Sequence, residues 1–285
     1  MHKAISYWSM EHGLEATHSI EKALEDTHDA GFSHLELAVS DTGVLTFDTN
    51  LETVKRAIEA SPVSVSSLAS GMSWGQNPAS NDIDVRLASI EYNQRALALA
   101  SDLGCGALLM VPGVSRSPIS PDLVRYDIAV ERIRQAIFPL LEVAERVGVD
   151  LCLENVWNGL FYSPLELRDF IDSFQSSRLG VYLDVGNLMG IHQYPPHWIE
   201  ILGHRIKRVH IKDYKETFDW TGGYSFCDLG AGEVPWQETM EALRAINYES
   251  TLTAEMLPWD AFLLNRTSVA MDQIMGLGMT KVALT

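Results

Sequence analysis

The sequence predicts a single-domain α/β protein, a (β/α)8 or TIM barrel spanning residues 1–285. Short apolar runs rich in β-branched residues alternate eight times with longer helical patterns, the mark of βα units and a parallel sheet. Successive strand starts are separated by intervals long enough for a strand, a helix and two loops, with no stretch that reads as a linker. No glycine-rich dinucleotide fingerprint follows the first run, so nothing favours an open doubly wound sheet over a closed one. A chain of 285 residues, 46% hydrophobic, buries a large core and matches the ~250 residues of such a barrel.

The first strand begins near Lys3 (KAISYW), and its helix carries Ile20, Ala23 and Leu24 as an inward stripe. Strands two, three and four begin near His34 (HLELAV), Val63 (VSVSSLA) and Gly106 (GALLMV). After the fourth, Ile133, Ala136, Ile137, Leu140, Leu141 and Ala144 follow the 3.6-residue period, in a helix that Pro139 should kink. Strand five begins near Val149 (VDLCLE). Behind it, Ser163-Pro164-Leu165-Glu166 reads as a capping box with proline at the first helical position, followed by Leu167, Phe170, Ile171 and Phe174 on one face. Strands six, seven and eight begin near Gly180 (GVYLD), Ile206 (IKRVHIK) and Thr251 (TLTAEM), and Pro195 and Pro235 mark two more helix starts.

The 21 Lys and Arg against 38 Asp and Glu give a net charge of −17, a field that repels nucleic acid and anionic membranes. The N-terminus has no apolar signal region, and apolar runs such as Ala107 to Val111 are far too short for a bilayer, so a cytoplasmic protein is expected. Three widely spaced cysteines, Cys105, Cys152 and Cys227, read as buried reduced thiols rather than a disulfide framework or zinc site.

In this fold the chemistry sits where strands end. Reading the ends of the late strands gives Glu154, Asp184, His210 and Glu255, each following an apolar run in which an unpaired charge is costly. One such carboxylate is more often a loop hydrogen-bonder or a helix cap than a ligand. Four ligand-type residues on four consecutive strands point to a divalent cation, Mn²⁺ by the oxygen-rich set, with Mg²⁺, Co²⁺ or Zn²⁺ as alternatives.

The runs LCLENVWN (151–158), GVYLDVGN (180–187), RVHIKDYK (208–215), GAGEVPW (230–236) and TLTAEM (251–256) resemble the xylose-isomerase-like barrels, the sugar-phosphate isomerases and epimerases that include ketose 3-epimerases. The likeness covers nearly the whole chain. It is strongest to pentulose-5-phosphate 3-epimerases through YPPHWIEILGHRIKRVHIKDYK, residues 194–215. The resemblance implies Glu154, Asp184, His210 and Glu255 as metal ligands, with Glu154 and Glu255 also the acid/base pair. Many relatives carry a histidine three residues after the aspartate, where this chain has Asn187, a departure that fits the phosphate-sugar branch and leaves an amide for a sugar hydroxyl. The apurinic endonucleases share the barrel but place a histidine in an HPG sequence where this chain reads Val111-Pro112-Gly113, which together with the net charge excludes DNA repair.

The activity so implied is ketose 3-epimerisation, on a pentulose 5-phosphate, by two-base proton transfer through a metal-stabilised enediolate, with no nucleotide cofactor. Aldose–ketose isomerisation and a keto-polyol dehydratase or lyase reaction use the same constellation and stay open. Lys212 and Lys215, with Gly222-Gly223 and Gly230-Ala231-Gly232, form a candidate phosphate site. Against that, two loop lysines commonly form a solvated face, and Lys212 has Asp213 or Glu36 as alternative partners. Trp8, Trp157 and Trp259 are expected to cover a sugar, with Trp157 and Asn158 beside it; Glu36 reads equally as a hydroxyl binder or a buried salt-bridge partner. A symmetric homodimer is the default assembly.

Overall fold

The computed structural model of the chain describes residues 1–217 and 223–276. Seven strands, β1 (His2–Ser6), β2 (His34–Val39), β3 (Ser64–Ser70), β4 (Ala107–Met110), β5 (Asp150–Glu154), β6 (Leu179–Asp184) and β7 (Ile206–Ile211), alternate with helices. An antiparallel hairpin of β8 (Asp213–Thr217) and β9 (Gly223–Cys227) then precedes the last barrel strand, β10 (Thr251–Ala254). All the barrel pairings are parallel, and β1 closes the ring by pairing with both β2 and β10. The helices are α1 (Ile20–Asp29), α2 (Leu51–Ala60), α3 (Ile83–Asp102), α4 (Tyr126–Val147), α5 (Pro164–Asp172), α6 (Val185–Met189), α7 (Pro195–Leu202), α8 (Trp236–Ala245) and α9 (Leu263–Met275).

Local chemistry explains most of the boundaries. Ser19 caps α1 by accepting from the Lys22 N–H, and Ile20, Ala23 and Leu24 are buried against the sheet. The whole stripe from Ile133 to Ala144 on α4 is buried, and the helix ends at Gly148 with φ 77°, where glycine avoids the strain of the left-handed region. That helix continues through Pro139: burial on both sides of the proline outweighs the one hydrogen bond it forfeits. At α5 the expectation is corrected. Pro164 opens the helix after an extended Ser163, but the Ser163 hydroxyl makes no capping bond, and Glu166 accepts from the Tyr126 hydroxyl at 2.5 Å instead of turning back.

Two apolar layers result. The larger lies between strands and helices, and a smaller one of Ala69, Ala107, Leu109, Cys152 and Tyr182 fills the barrel interior. Burial pushes the Cys105 and Cys152 thiols up to about 12, so both stay protonated; Cys227 is only partly buried, because it ends the exposed hairpin. Among the described residues no helix is long and apolar enough to cross a membrane.

Candidate metal centre and active site

The ends of β5, β6 and β7 and the residue after β10 converge at one mouth of the barrel. Asp184 and His210 stand opposite each other in the β6–β7 register, and the Glu255 N–H donates to the Ile211 carbonyl at 3.1 Å, seating it above β7. One ligand-type atom from each of Glu154, Asp184, His210 and Glu255 falls within 4.8 Å of the others. Asp184 satisfies both of its sequence readings: Oδ1 caps α6 by accepting from the Asn187 N–H at 2.8 Å, while Oδ2 faces the cluster.

The donor set fits a cation. His210 is wholly buried; its Nε2 lies 2.8 Å from Glu36 Oε1, and its Nδ1 has no hydrogen-bond partner although carboxylate oxygens of Glu154 and Glu255 each stand 3.5 Å away. A buried imidazole nitrogen facing two carboxylates without bonding to either is what a metal ligand looks like. The only cation lining this cavity among the described residues is Lys212, which donates to Glu255 Oε2 at 2.5 Å and stands 2.8 Å from Asp184 Oδ2, close enough to pair but not aligned for a hydrogen bond.

This charge distribution separates the two glutamates. Burial pushes the Glu154 carboxyl up to about 7, with the Glu255 and Asp184 charges adding and His210 opposing. Burial acts most strongly to raise Glu255, but the Lys212 ammonium and His210 together outweigh it and hold that carboxyl below the ordinary range. Asp184 is raised by burial against the pull of Lys212.

A cavity of about 420 Å³ opens onto the cluster. Trp8, Trp157, Asn187 and Lys212 line it as the sequence suggested, joined by Trp74, Ile119 and Phe226, which sequence reasoning did not single out. Phe226 arrives on the hairpin and stacks on Trp157 at 5.2 Å with planes 9° apart, a contact without a local sequence signal. Asn187 spends its side-chain amide on the Asn155 carbonyl, and its own carbonyl accepts from the Trp157 indole N–H at 2.9 Å, so it steadies the wall.

Four other candidates lie elsewhere. Trp259 lines a separate groove beside Trp8. Asn158 is buried with its amide on the Gly113 carbonyl and its oxygen on the Leu160 N–H, the bonding of a loop residue. Glu36 lies beneath His210 and away from the cavity lining, and Lys215 is exposed on β8.

The glycine-rich stretch before α8 already encloses an anion, the carboxylate of Asp213. Gly230 N–H and the Trp236 indole donate to Oδ2, and Tyr214 and Val234 N–H donate to Oδ1, while a Cβ on Gly232 would lie 2.2 Å from that oxygen. Lys212, read from the sequence as a phosphate ligand with Asp213 or Glu36 as alternative partners, pairs instead with Asp184 and Glu255 because β7 ends directly over them. Gly222 lies outside the described residues. Asp213→Ala should strand the buried Tyr214 and Val234 N–H groups, release the more exposed Gly230 N–H and Trp236 indole, and lower stability by about 2 kcal/mol, with the hairpin loosened; an unchanged melting temperature would refute this reading of the anchor.

Fold and site together define a (β/α)8 barrel whose C-terminal mouth carries a candidate centre for one divalent metal ion. The chain belongs to the xylose isomerase-like TIM barrel family, whose model matches residues 24–267. It is 26% identical over 257 residues to the D-psicose 3-epimerase of Ruminiclostridium cellulolyticum, covering 88% of this chain and 81% of that one. A shorter stretch of 124 residues is 30% identical to the 3-oxo-isoapionate decarboxylase of Pectobacterium atrosepticum, covering 41% of this chain and only 43% of that relative's length. The crystal structure of D-psicose 3-epimerase with D-tagatose from Clostridium cellulolyticum H10 superposes with a TM-score of 0.80 at 20% identity, over 96% of this chain and 98% of that one.

Proposed function

We propose that the chain is a divalent-metal-dependent ketose 3-epimerase that inverts C3 by proton transfer between two glutamates. The observation that carries this reading is the convergence of Glu154, Asp184, His210 and Glu255 within 4.8 Å, beside a cavity that Glu154 and Glu255 line. Those four residues would hold the ion, Mn²⁺ by the oxygen-rich set and Mg²⁺, Co²⁺ or Zn²⁺ as alternatives. Bound there, a divalent cation supplies Lewis-acid stabilisation of negative charge on the substrate's oxygens.

The protein's own groups do the rest. Glu255, which Lys212 helps to keep ionised, is prepared to take the C3 proton, and Glu154 stands on the other flank to return one. They arrive from the two flanks of the cluster, with β6 and β7 between them in the ring, which suits attack on opposite faces of one carbon. For the product epimer the two roles exchange. Trp8, Trp157 and Phe226 shield the reacting carbon from water.

The phosphate site of the sequence reading finds no support in its own residues, since Lys212 is engaged by carboxylates, Lys215 is exposed and the glycine stretch holds Asp213, while the likeness of residues 194–215 and the Asn187 departure are untouched. A free ketose, the kind of sugar named for the epimerase relatives, is the substrate we assign. The test is incubation of Mn²⁺-loaded protein with free and phosphorylated ketoses in D₂O, followed by NMR. Deuterium at C3 of a free ketose with appearance of its epimer is the expected result; label at C1 or C2 would mean isomerisation, and no label would end the enediolate reading.

A second reading has one observation in its favour, the 30% identity over 124 residues to a 3-oxo-isoapionate decarboxylase; loss of carbon dioxide from a 3-oxo acid in general leaves an enolate, a charge the same cation would stabilise. Carbon dioxide release from a 3-oxo sugar acid, without exchange into ketoses, would select it.

Metal affinity should depend on pH. A ligand carboxyl near 7 must lose its proton to bind, so affinity is retained above 7 and falls as the pH drops through it. Calorimetric titration with Mn²⁺ in buffers of different ionisation enthalpy checks this: no proton release near neutrality would contradict the raised Glu154.

A further inference from the structure

We infer that Glu36 is a positioning residue: its carboxylate fixes which nitrogen of His210 faces the centre, holding the proton on Nε2 so that Nδ1 is offered as the ligand atom. Both residues are wholly buried, and Glu36 reaches from β2 to meet Nε2 of a β7 histidine at 2.8 Å, although β1 and β10 separate those strands in the ring. An ionised carboxylate only accepts hydrogen bonds, so the nitrogen it meets carries a proton, and Nδ1 is the nitrogen left to give its lone pair to a cation. That other nitrogen is Nδ1, the atom with no hydrogen-bond partner, 3.5 Å from both Glu154 and Glu255.

Glu36 is itself held in place. Its Oε2 accepts from the Ser67 hydroxyl at 2.8 Å and from the Tyr182 hydroxyl, and Ser67 and Tyr182 approach each other at 3.2 Å. The Tyr182 hydroxyl also lies 3.5 Å from Thr253 Oγ1, and its ring packs 4.4 Å from that of His210. Side chains from β2, β3, β6 and β10 thus form a polar layer directly beneath the four ligands. Turning the imidazole over would set a C–H against a buried carboxylate and forfeit a charge-assisted hydrogen bond, so one ring orientation prevails. The same geometry removes Glu36 as a sugar-hydroxyl binder, because both of its oxygens are occupied and neither meets the cavity. A carboxylate behind a ligating histidine both orients the ring and raises its basicity.

This assignment rests on the metal-centre reading above, and Zn²⁺ serves as the probe for both. In the Zn²⁺-loaded wild type, long-range ¹⁵N–¹H correlation should show His210 protonated at Nε2 and not at Nδ1. Glu36→Gln, nearly isosteric, should weaken Zn²⁺ binding in chelator competition by about 10- to 100-fold and speed exchange of the Nε2 proton. Ser67→Ala, which touches the same carboxylate but not the histidine, should stay within about threefold of wild type in affinity, separating positioning from general loosening of the layer. A folded Glu36→Gln protein with wild-type Zn²⁺ affinity and wild-type proton exchange would overturn the assignment while leaving the metal centre intact. Should that variant not fold, the wild-type spectrum alone decides, since a proton on Nδ1 would overturn it. Failure of the wild type to bind Zn²⁺ stoichiometrically would remove both the metal centre and the role of Glu36.

Discussion

Glu255→Gln should lower epimerisation by about 10²-fold or more while the protein remains folded, because an amide of the same shape cannot take the C3 proton. Both steady-state turnover at saturating Mn²⁺ and solvent deuterium exchange are needed to read the result. With one base removed, the remaining one still exchanges the C3 proton of a single epimer with solvent, so deuterium should enter that sugar without inversion. Glu154→Gln should show the complementary pattern with the other epimer. Glu255 is also a candidate ligand, so metal stoichiometry of the variant must be measured alongside; loss of turnover with metal retained is the expected result. Wild-type turnover in Glu255→Gln would take that residue out of the mechanism.

Stripping the protein of divalent metal should abolish activity and lower the melting temperature, and Mn²⁺ should restore both. Two buried carboxylates, Glu154 and Asp184, and the partly buried Glu255 crowd one site with Lys212 as the only lining cation among the described residues, so without a metal their mutual repulsion is incompletely offset. A ligand bound by the folded state alone, present at a hundredfold excess over its dissociation constant, adds about 2.7 kcal/mol. In a domain of this size that is a rise of about 5–10 °C. Asp184→Asn should lose most of that increment, because it removes a ligand charge while keeping the α6 cap through its side-chain oxygen. Chelation that changes neither melting nor turnover would refute a metal-dependent site.

Much of this could be read along the chain. The eight barrel strands begin within one residue of where their apolar runs begin, since a strand covered on both faces leaves a continuous hydrophobic signal. Glu154, Asp184, His210 and Glu255 could be picked out by position alone, because a barrel turns the ends of its strands toward one mouth. Tyr182 was within reach too: it sits two residues before Asp184, and period-two alternation puts both on the inner face. The β8–β9 hairpin left no comparable pattern, and with it went Phe226 and the true partner of the glycine stretch.

Sequence by itself determined the barrel and the four residues aimed at its axis, because hydrophobic periodicity and strand ends are local properties of the chain. Only the tertiary structure decided what each polar group meets across that axis: Glu36 behind His210, Lys212 between Asp184 and Glu255, and Asp213 inside the glycine loop. These partners are brought together by ring closure between strands far apart in sequence, and in a low-dielectric interior the partner, more than the residue type, sets whether a carboxylate is a base, an acid or a brace.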